Sequence, residues 1–210
     1  MIIKGDLIMH ANSHSKMEWF KNTYLSTDTK LNILDVGSLD RKGNYNYSDL
    51  FNEKNWTYTG LDFEGGNNVD IVVTNIYNWF EVEDNTYDVV ISGQLFEHLE
   101  FFWLTMSEIE RVLKPGGYIC IITPSSGPKH GGNVPNCYRF KEDGLRAMAK
   151  YVDLEILHTS VDERKEVAPW NDGCLVAHKL DLSDTETKEL KNRINNLENK
   201  LDSILQAIQK

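Results

Sequence analysis

The sequence predicts an α/β protein: a doubly wound, mostly parallel sheet with helices on both faces, followed by a separate C-terminal helix. Three observations carry this. Strand signals alternate with helical patterns along most of the 210 residues, the order that produces a parallel sheet. Residues 87–92 form an apolar run suited to a strand buried on both faces. Residues 31–40, LNILDVGSLD, run an apolar strand into Asp35 and Gly37 and then open a turn of small and polar residues. That unit brings backbone close to the polar end of a small ligand.

The elements follow in order. Residues 12–25 read as an amphipathic helix with Met17, Phe20, Tyr24 and Leu25 near one face. A strand over 33–36 precedes a polar loop and a helix near 45–53. Residues 56–62 and 69–73 give the second and third strands, and 87–92 the fourth. Over 97–113, Leu99, Phe102, Trp103, Met106, Ile109 and Leu113 form a broad helical stripe. Pro115-Gly116-Gly117 stops it, because proline cannot continue a helix and glycine permits the turn. Residues 118–123 are the fifth strand, 141–150 a helix, and 154–158 and 174–178 two final strands. The segment 124–140, TPSSGPKHGGNVPNCYR, is long and rich in Gly and Pro. A loop of that kind in a compact domain reads as a lid or binding loop.

Composition narrows the function classes. A net charge of −10 disfavours a nucleic-acid partner. No apolar run approaches the roughly 20 residues of a membrane helix, and the N-terminus lacks the pattern of a secretory signal. Cys120, Cys137 and Cys174 are widely spaced with no CxxC pair. An odd count of this kind fits reduced thiols in the cytoplasm and argues against a disulfide frame or a zinc site. No clustered set of Asp, Asn or His ligands stands out, so no metal is expected.

Four segments in sequence order, LNILDVGSLD (31–40), YTGLDFEGG (58–66), YDVVISGQLFEHL (87–99) and VLKPGGYICIITPS (112–125), resemble the class I S-adenosylmethionine-dependent methyltransferases. Within that class they are similar to the small DVGS type, methyltransferase-11-like, of surface-glycan pathways. The resemblance runs from about Met17 to about Lys179. It implies a Rossmann-like, seven-stranded, mostly parallel sheet whose last two strands are antiparallel, over a domain of residues 1–180. It also implies S-adenosyl-L-methionine as the cofactor.

On the residues that match, Asp35, Gly37 and Ser38 would serve the methionine end, glycine because a side chain would block backbone approach. The family's second loop glycine is Leu39 here, and the later glycine falls at Gly43. Asp35 could equally be a turn cap. A carboxylate at Asp62, ending the second strand, can accept from two vicinal ribose hydroxyls, and Phe63 could cover an adenine face. The absence of GxGxxG separates this loop from a dinucleotide site. Asn75 and Ile76 align with the adenine-binding pair, although Asn75 also suits a plain turn. Ser92, Gly93 and Gln94 would line the cofactor from below, at a tight strand-to-helix turn. The fourth strand does not end in the Asn/Asp-Pro-Pro-aromatic element of nucleobase amino-methylating enzymes.

A hydroxyl acceptor benefits from a positioned base, by about 10²–10⁴-fold. His98, in the EH pair after the fourth strand, and His130, in the long loop, are the candidates, since neutral imidazole is available at cellular pH. Their competing roles are helix capping and an ordinary exposed loop position. Tyr138 and Arg139 could grip the acceptor, Arg139 suiting phosphate or carboxylate; a surface ion pair is its alternative.

The C-terminal segment 181–210 differs in kind. Ile194, Leu201 and Ile208 occupy a positions and Leu190, Leu197 and Ile204 d positions of a heptad repeat. Ser183 and Glu186 form a capping box, and Arg193 at g would face Glu198 at e of a neighbour. A seam this narrow predicts a homo-oligomer through residues 187–208 rather than docking on its own domain. The resulting expectation is a cytoplasmic methyltransferase acting on a sugar or glycan-precursor hydroxyl. The alternatives are a protein or other small metabolite as acceptor, or a non-catalytic scaffold of the same fold assembled through the coiled coil.

Overall fold

The structure, a computed structural model, describes residues 4–41, 46–129, 134–162 and 171–181. In the C-terminal segment it describes 186, 189–190, 193–194, 196–198 and 200–201. The chain divides into two compact units, residues 1–179 and 180–210.

The first unit holds one seven-stranded sheet. Its elements are α1 (Lys4–Tyr24), β1 (Leu31–Val36), β2 (Trp56–Asp62), β3 (Ile71–Val72), β4 (Tyr87–Gly93), a 3-10 turn at Phe96–His98, α2 (Phe102–Val112), β5 (Leu113–Pro124), α3 (Glu142–Tyr151), β6 (Glu155–Val161) and β7 (Asp172–His178). The strand order is β3-β2-β1-β4-β5-β7-β6. The first five strands pair in parallel, and β7 inserts antiparallel between β5 and β6. The order reverses between β1 and β4, which opens a crevice at their carboxyl ends.

Two apolar layers flank the sheet. On one face Met17 and Phe20 of α1 pack with Phe51, Trp56, Ile33, Ile91, Cys120 and Val176. On the other, Met106 and Ile109 of α2 and Leu145 and Met148 of α3 pack with Leu34, Val36, Val90, Ile121 and Trp79. Alternate residues of β1 and β4 feed opposite faces, as the two-residue period of a strand requires.

Several boundaries differ from the sequence reading: α1 starts at Lys4 rather than 12, β6 runs on to Val161 and β7 opens at Asp172. Residues 46–51 form turns rather than a helix: Asn46 Oδ1 accepts from the Ser48 N–H at 3.0 Å, and Leu50 N–H bonds Tyr47 O at 2.9 Å. An asparagine that closes its own turn in this way competes with helix formation. The third strand pairs only over Ile71–Val72. The helix after β4 begins at Phe102, because the 3-10 turn consumes 96–98. It ends at Val112, with Leu113 already extended (φ −76°, ψ 129°), so β5 starts earlier than residue 118.

In the second unit the described residues of 186–201 are helical, and Leu190, Ile194, Leu197 and Leu201 are exposed. Ser183, Ile204 and Ile208 lie outside the described residues. Among the described residues no helix is long and apolar enough to cross a membrane.

Candidate functional site

The crevice at the strand tips is built first by β1 and β2. Strand pairing places Asp35 beside Gly60 and Val36 beside Leu61. The chain then turns at Gly37, whose φ of 81° favours glycine. A Cβ there would also lie 2.9 Å from Leu95 Cδ2. The N–H groups of Gly37 and Ser38 both donate to the Leu61 carbonyl, at 2.8 and 3.1 Å. Ser38 turns away from the crevice: its hydroxyl donates to the Asn68 carbonyl at 2.7 Å, and Asn68 Nδ2 returns a bond to Ser38 O.

Asp62 ends β2, buried to within 6%. Its carboxylate accepts from the Leu39 N–H (3.2 Å) and the Glu64 N–H (3.1 Å). Burial is the largest influence on Asp62 and raises its pKa, while the backbone amides and the Arg41 charge pull it down. Phe63, beside it, leaves 54% of its surface exposed. Arg41 and Glu64 form an exposed bidentate pair across the same rim, at 3.2 and 2.8 Å.

Asp35 is wholly interior. It accepts from the Tyr58 hydroxyl at 2.6 Å, and Tyr58 in turn accepts from Asn68 Nδ2 at 2.9 Å. Burial pushes the Asp35 carboxyl up to about 7, with the Tyr58 bond opposing and the Asp62 charge adding. Tyr58, Asn68 and Tyr47 are site-building residues that the motifs did not reveal. Nothing in the local pattern marks a tyrosine at the centre of a strand as a partner for an acid on the next one.

The remaining expected contacts fall at varied distances from the crevice. Asn75 is exposed and closes a turn, its Oδ1 accepting from the Tyr77 N–H at 2.9 Å; the Ile76 carbonyl accepts from Trp79 Nε1 and Thr105 Oγ1. Ser92 is fully buried, its hydroxyl donating to Val36 O at 2.8 Å between β4 and β1. Gly93 lies beneath the Tyr47 ring, where a Cβ would collide with it. Gln94 follows with φ 59° and its N–H on Ile122 O at 2.8 Å.

His98 bonds the Pro135 carbonyl through Nδ1 at 2.5 Å, and its Nε2 lies 3.5 Å from Glu97 Oε1. The Glu97 carbonyl accepts from the Cys137 and Tyr138 N–H groups. The EH pair therefore pins the segment beyond β5. Tyr138 packs against Phe102 and donates its hydroxyl to Glu100 O at 2.8 Å. Arg139 donates to the Tyr138, Pro128 and Gly127 carbonyls and to Asn136 Oδ1, stitching that segment to itself. His130 and Gly43 lie outside the described residues. Among the described residues no group of three or more His, Cys, Asp or Glu could hold a metal ion.

The donor set fits a sulfonium nucleoside. Asp62 sits at the crevice rim with its carboxylate pinned by amides, and each oxygen offers about two lone-pair positions, so capacity remains for ribose hydroxyls. Phe63 presents an exposed ring next to it. The glycine turn brings main chain, without a side chain, to the tip of β1.

Comparison with known proteins agrees with this geometry. Residues 34–121 match a family model described as a methyltransferase domain. No protein of curated function matches the sequence. Among solved structures, a SAM-dependent methyltransferase from Methanosarcina mazei superposes with a TM-score of 0.56 at 16% identity, covering 77% of this chain and 97% of its own. One from Aquifex aeolicus gives 0.57 at 17%, covering 85% and 100%. The 1,6-didemethyltoxoflavin-N1-methyltransferase of Burkholderia thailandensis, solved with 1,6-didemethyltoxoflavin and S-adenosylhomocysteine, gives 0.57 at 14%, covering 83% and 77%. At these identities the superpositions speak to the fold. The domain match runs from β1 into β5, and with the shared fold it supports a methyltransferase enzyme that uses S-adenosylmethionine.

Proposed function

We propose that this enzyme methylates a hydroxyl of a sugar or glycan precursor. The observation that carries the cofactor half of this reading is the meeting of Gly37, Asp62 and the exposed Phe63 at the switch point of the sheet. Asp62 would hold the ribose hydroxyls, Phe63 would cover the adenine, and the main chain at Gly37 and Ser38 would face the amino-acid end. When bound, the cofactor supplies a methyl group already activated on a sulfonium. The protein's part is then alignment, which is worth several kcal/mol of barrier, together with removal of the hydroxyl proton. The acceptor class follows from the likeness to DVGS-type enzymes of surface-glycan pathways. His98 would serve as base through Nε2 if Nδ1 carries the proton toward Pro135 O; His130 is the other candidate.

We assign the segment 187–208 to self-association through its heptads, and place the protein in the cytoplasm on its three free cysteines. Isothermal titration with S-adenosylhomocysteine tests the cofactor site, and absence of binding would sink it. A methyl-transfer screen over nucleotide sugars and oligosaccharides, read by mass gain, tests the acceptor; labelling confined to proteins or to amines would replace it. Light scattering on a chain ending at residue 181 should show fewer copies per particle than the full chain. An unchanged copy number would refute the coiled coil.

A further inference from the structure

A second polar cluster stands at the same edge of the sheet, on the far side of the switch point. Asp172 opens β7 opposite Pro124 at the end of β5, and it is 1% exposed. Gln94, at the tip of β4, donates through Nε2 to Asp172 Oδ1 at 3.0 Å and to Ser13 Oγ at 3.4 Å. Asn12 of α1 reaches both acids, through Nδ2 to Asp162 Oδ2 at 2.5 Å and to Asp172 Oδ2 at 3.2 Å. Lys16 neutralises Asp162 at 2.9 Å, and Ser13 bonds the buried Tyr47 hydroxyl at 2.7 Å. Nothing in the sequence motifs links these residues, which come from α1, from β7 and from the first positions beyond β4 and β6.

One atom in this cluster is left over. The Asp172 carboxylate, which only accepts, demands the amide's N–H side and so sets the orientation of Gln94. Its Oε1 therefore points the other way, and it is buried without a hydrogen-bond partner. Leaving such an acceptor empty is costly, because it has given up water and gained nothing in return. The same residue sits at φ 59°, a left-handed conformation that crowds the Cβ of an L-residue. Two such costs at one side chain, beside a wholly buried carboxylate at the strand tips, describe a position that is completed by a donor from outside the chain.

We propose that Gln94 and Asp172 form the acceptor subsite, receiving hydrogen bonds from two neighbouring hydroxyls of the substrate. Gln94 Oε1 takes one and the Asp172 carboxylate, which has lone pairs beyond those facing Gln94 and Asn12, takes the other. With Lys16 already matched to Asp162, one carboxylate and one neutral oxygen remain, a pair suited to a diol. This deepens the sugar-hydroxyl reading and rests on it. It also assigns α1 a role: Asn12 and Ser13 orient the two acceptors.

The test uses the full chain saturated with S-adenosylhomocysteine and follows methyl α-D-glucopyranoside by saturation-transfer NMR, with ethanolamine as an ammonium probe. Asp172→Asn keeps the shape of the side chain, and Gln94→Asn suits a left-handed position while withdrawing the amide by one methylene. Expected are glucoside binding by the parent chain, at least a tenfold loss in either variant, and S-adenosylhomocysteine affinity within twofold of the parent in Asp172→Asn. Equal glucoside binding by parent and variants, no glucoside binding by the parent, or displacement of glucoside by ethanolamine would each overturn the subsite. Failure of the parent to bind S-adenosylhomocysteine would instead remove the cofactor reading beneath it.

Discussion

Across the tips of β1 and β2 the main chain holds itself. Gly37 and Ser38 share the Leu61 carbonyl, Asp40 N–H bonds Asn67 O, and Leu39 and Glu64 amides pin Asp62. Across the tips of β4 and β7 side chains do the holding: Gln94, Asn12 and Lys16 reach Asp172 and Asp162 over separations of 78 to 160 residues. The first half is a product of strand register and one glycine turn, so it survives most changes elsewhere in the molecule. The second exists only while α1 is docked and β7 is inserted between β5 and β6. A scaffold of this kind keeps one half constant and leaves the other open to change through loops and a peripheral helix.

That contrast can be broken at several points, beginning with the largest expected effect. Gly60 sits in β2 where a Cβ would run into the Asn68 carbonyl oxygen, a backbone atom that cannot swing aside, and into Ser38 Oγ. Gly60→Ala should cost about 1–3 kcal/mol through overpacking, lowering Tm by about 2–4 °C per kcal/mol for a chain of this size. Differential scanning calorimetry checks it, and an unchanged Tm would mean the 66–68 loop is not held as described. Next, Asp62→Ala should weaken S-adenosylhomocysteine at least about a hundredfold, about 2.7 kcal/mol, with the circular dichroism of the fold retained. Isothermal titration showing parent-like affinity would remove Asp62 from the site.

A third test compares the two buried acids. Asp35 is raised to about 7 and Asp172 to about 6, in each case chiefly by burial. The other groups facing Asp172 are Gln94, Asn12, Asp162 and Lys16. An aspartate whose folded pKa exceeds its ordinary 3.8 holds a proton that the unfolded chain has already lost. Its contribution to stability is therefore present near pH 4 and lost as pH rises through 6 and 7. Tm of the ligand-free chain should fall over that range. Asp35→Asn, which still accepts from the Tyr58 hydroxyl, should flatten the upper part of the slope; a slope unchanged by that substitution would reject the assignment.

The smallest effect belongs to Arg41. Its pair with Glu64 is bidentate but more than half exposed on both sides, and solvent and salt screen such a pair until little stabilisation is left. Arg41→Ala should leave Tm within about 2 °C, and a larger drop would show the rim to be more tightly built than its exposure suggests.

What was legible divides along the same line. Strands β1, β2, β4 and β5 were visible because each is a short apolar run bounded by turn residues, and Gly37 and Asp62 because they end such runs. The helix expected near 45–53 was not formed, since Asn46 captures the Ser48 amide and hydroxyl first. Tyr58 as the partner of Asp35, and Asn68 as the clamp on Ser38, were invisible: a hydrogen bond between adjacent strands leaves no periodic trace in either one. The same holds for Arg139, whose guanidinium spends itself on nearby carbonyls.

Local patterning by itself determined that this chain would build a parallel sheet with a glycine turn and an acid at the first two tips, because period, turn chemistry and strand ends are properties of neighbouring residues. It also carried the heptads of the C-terminal segment. Only the tertiary structure decided which acid is fully enclosed, which amide is left with an unmet oxygen, and that α1 lies against β7. Those are consequences of burial and of partners far apart in the chain. Burial depends on what the rest of the molecule packs against a residue, which no stretch of sequence specifies alone.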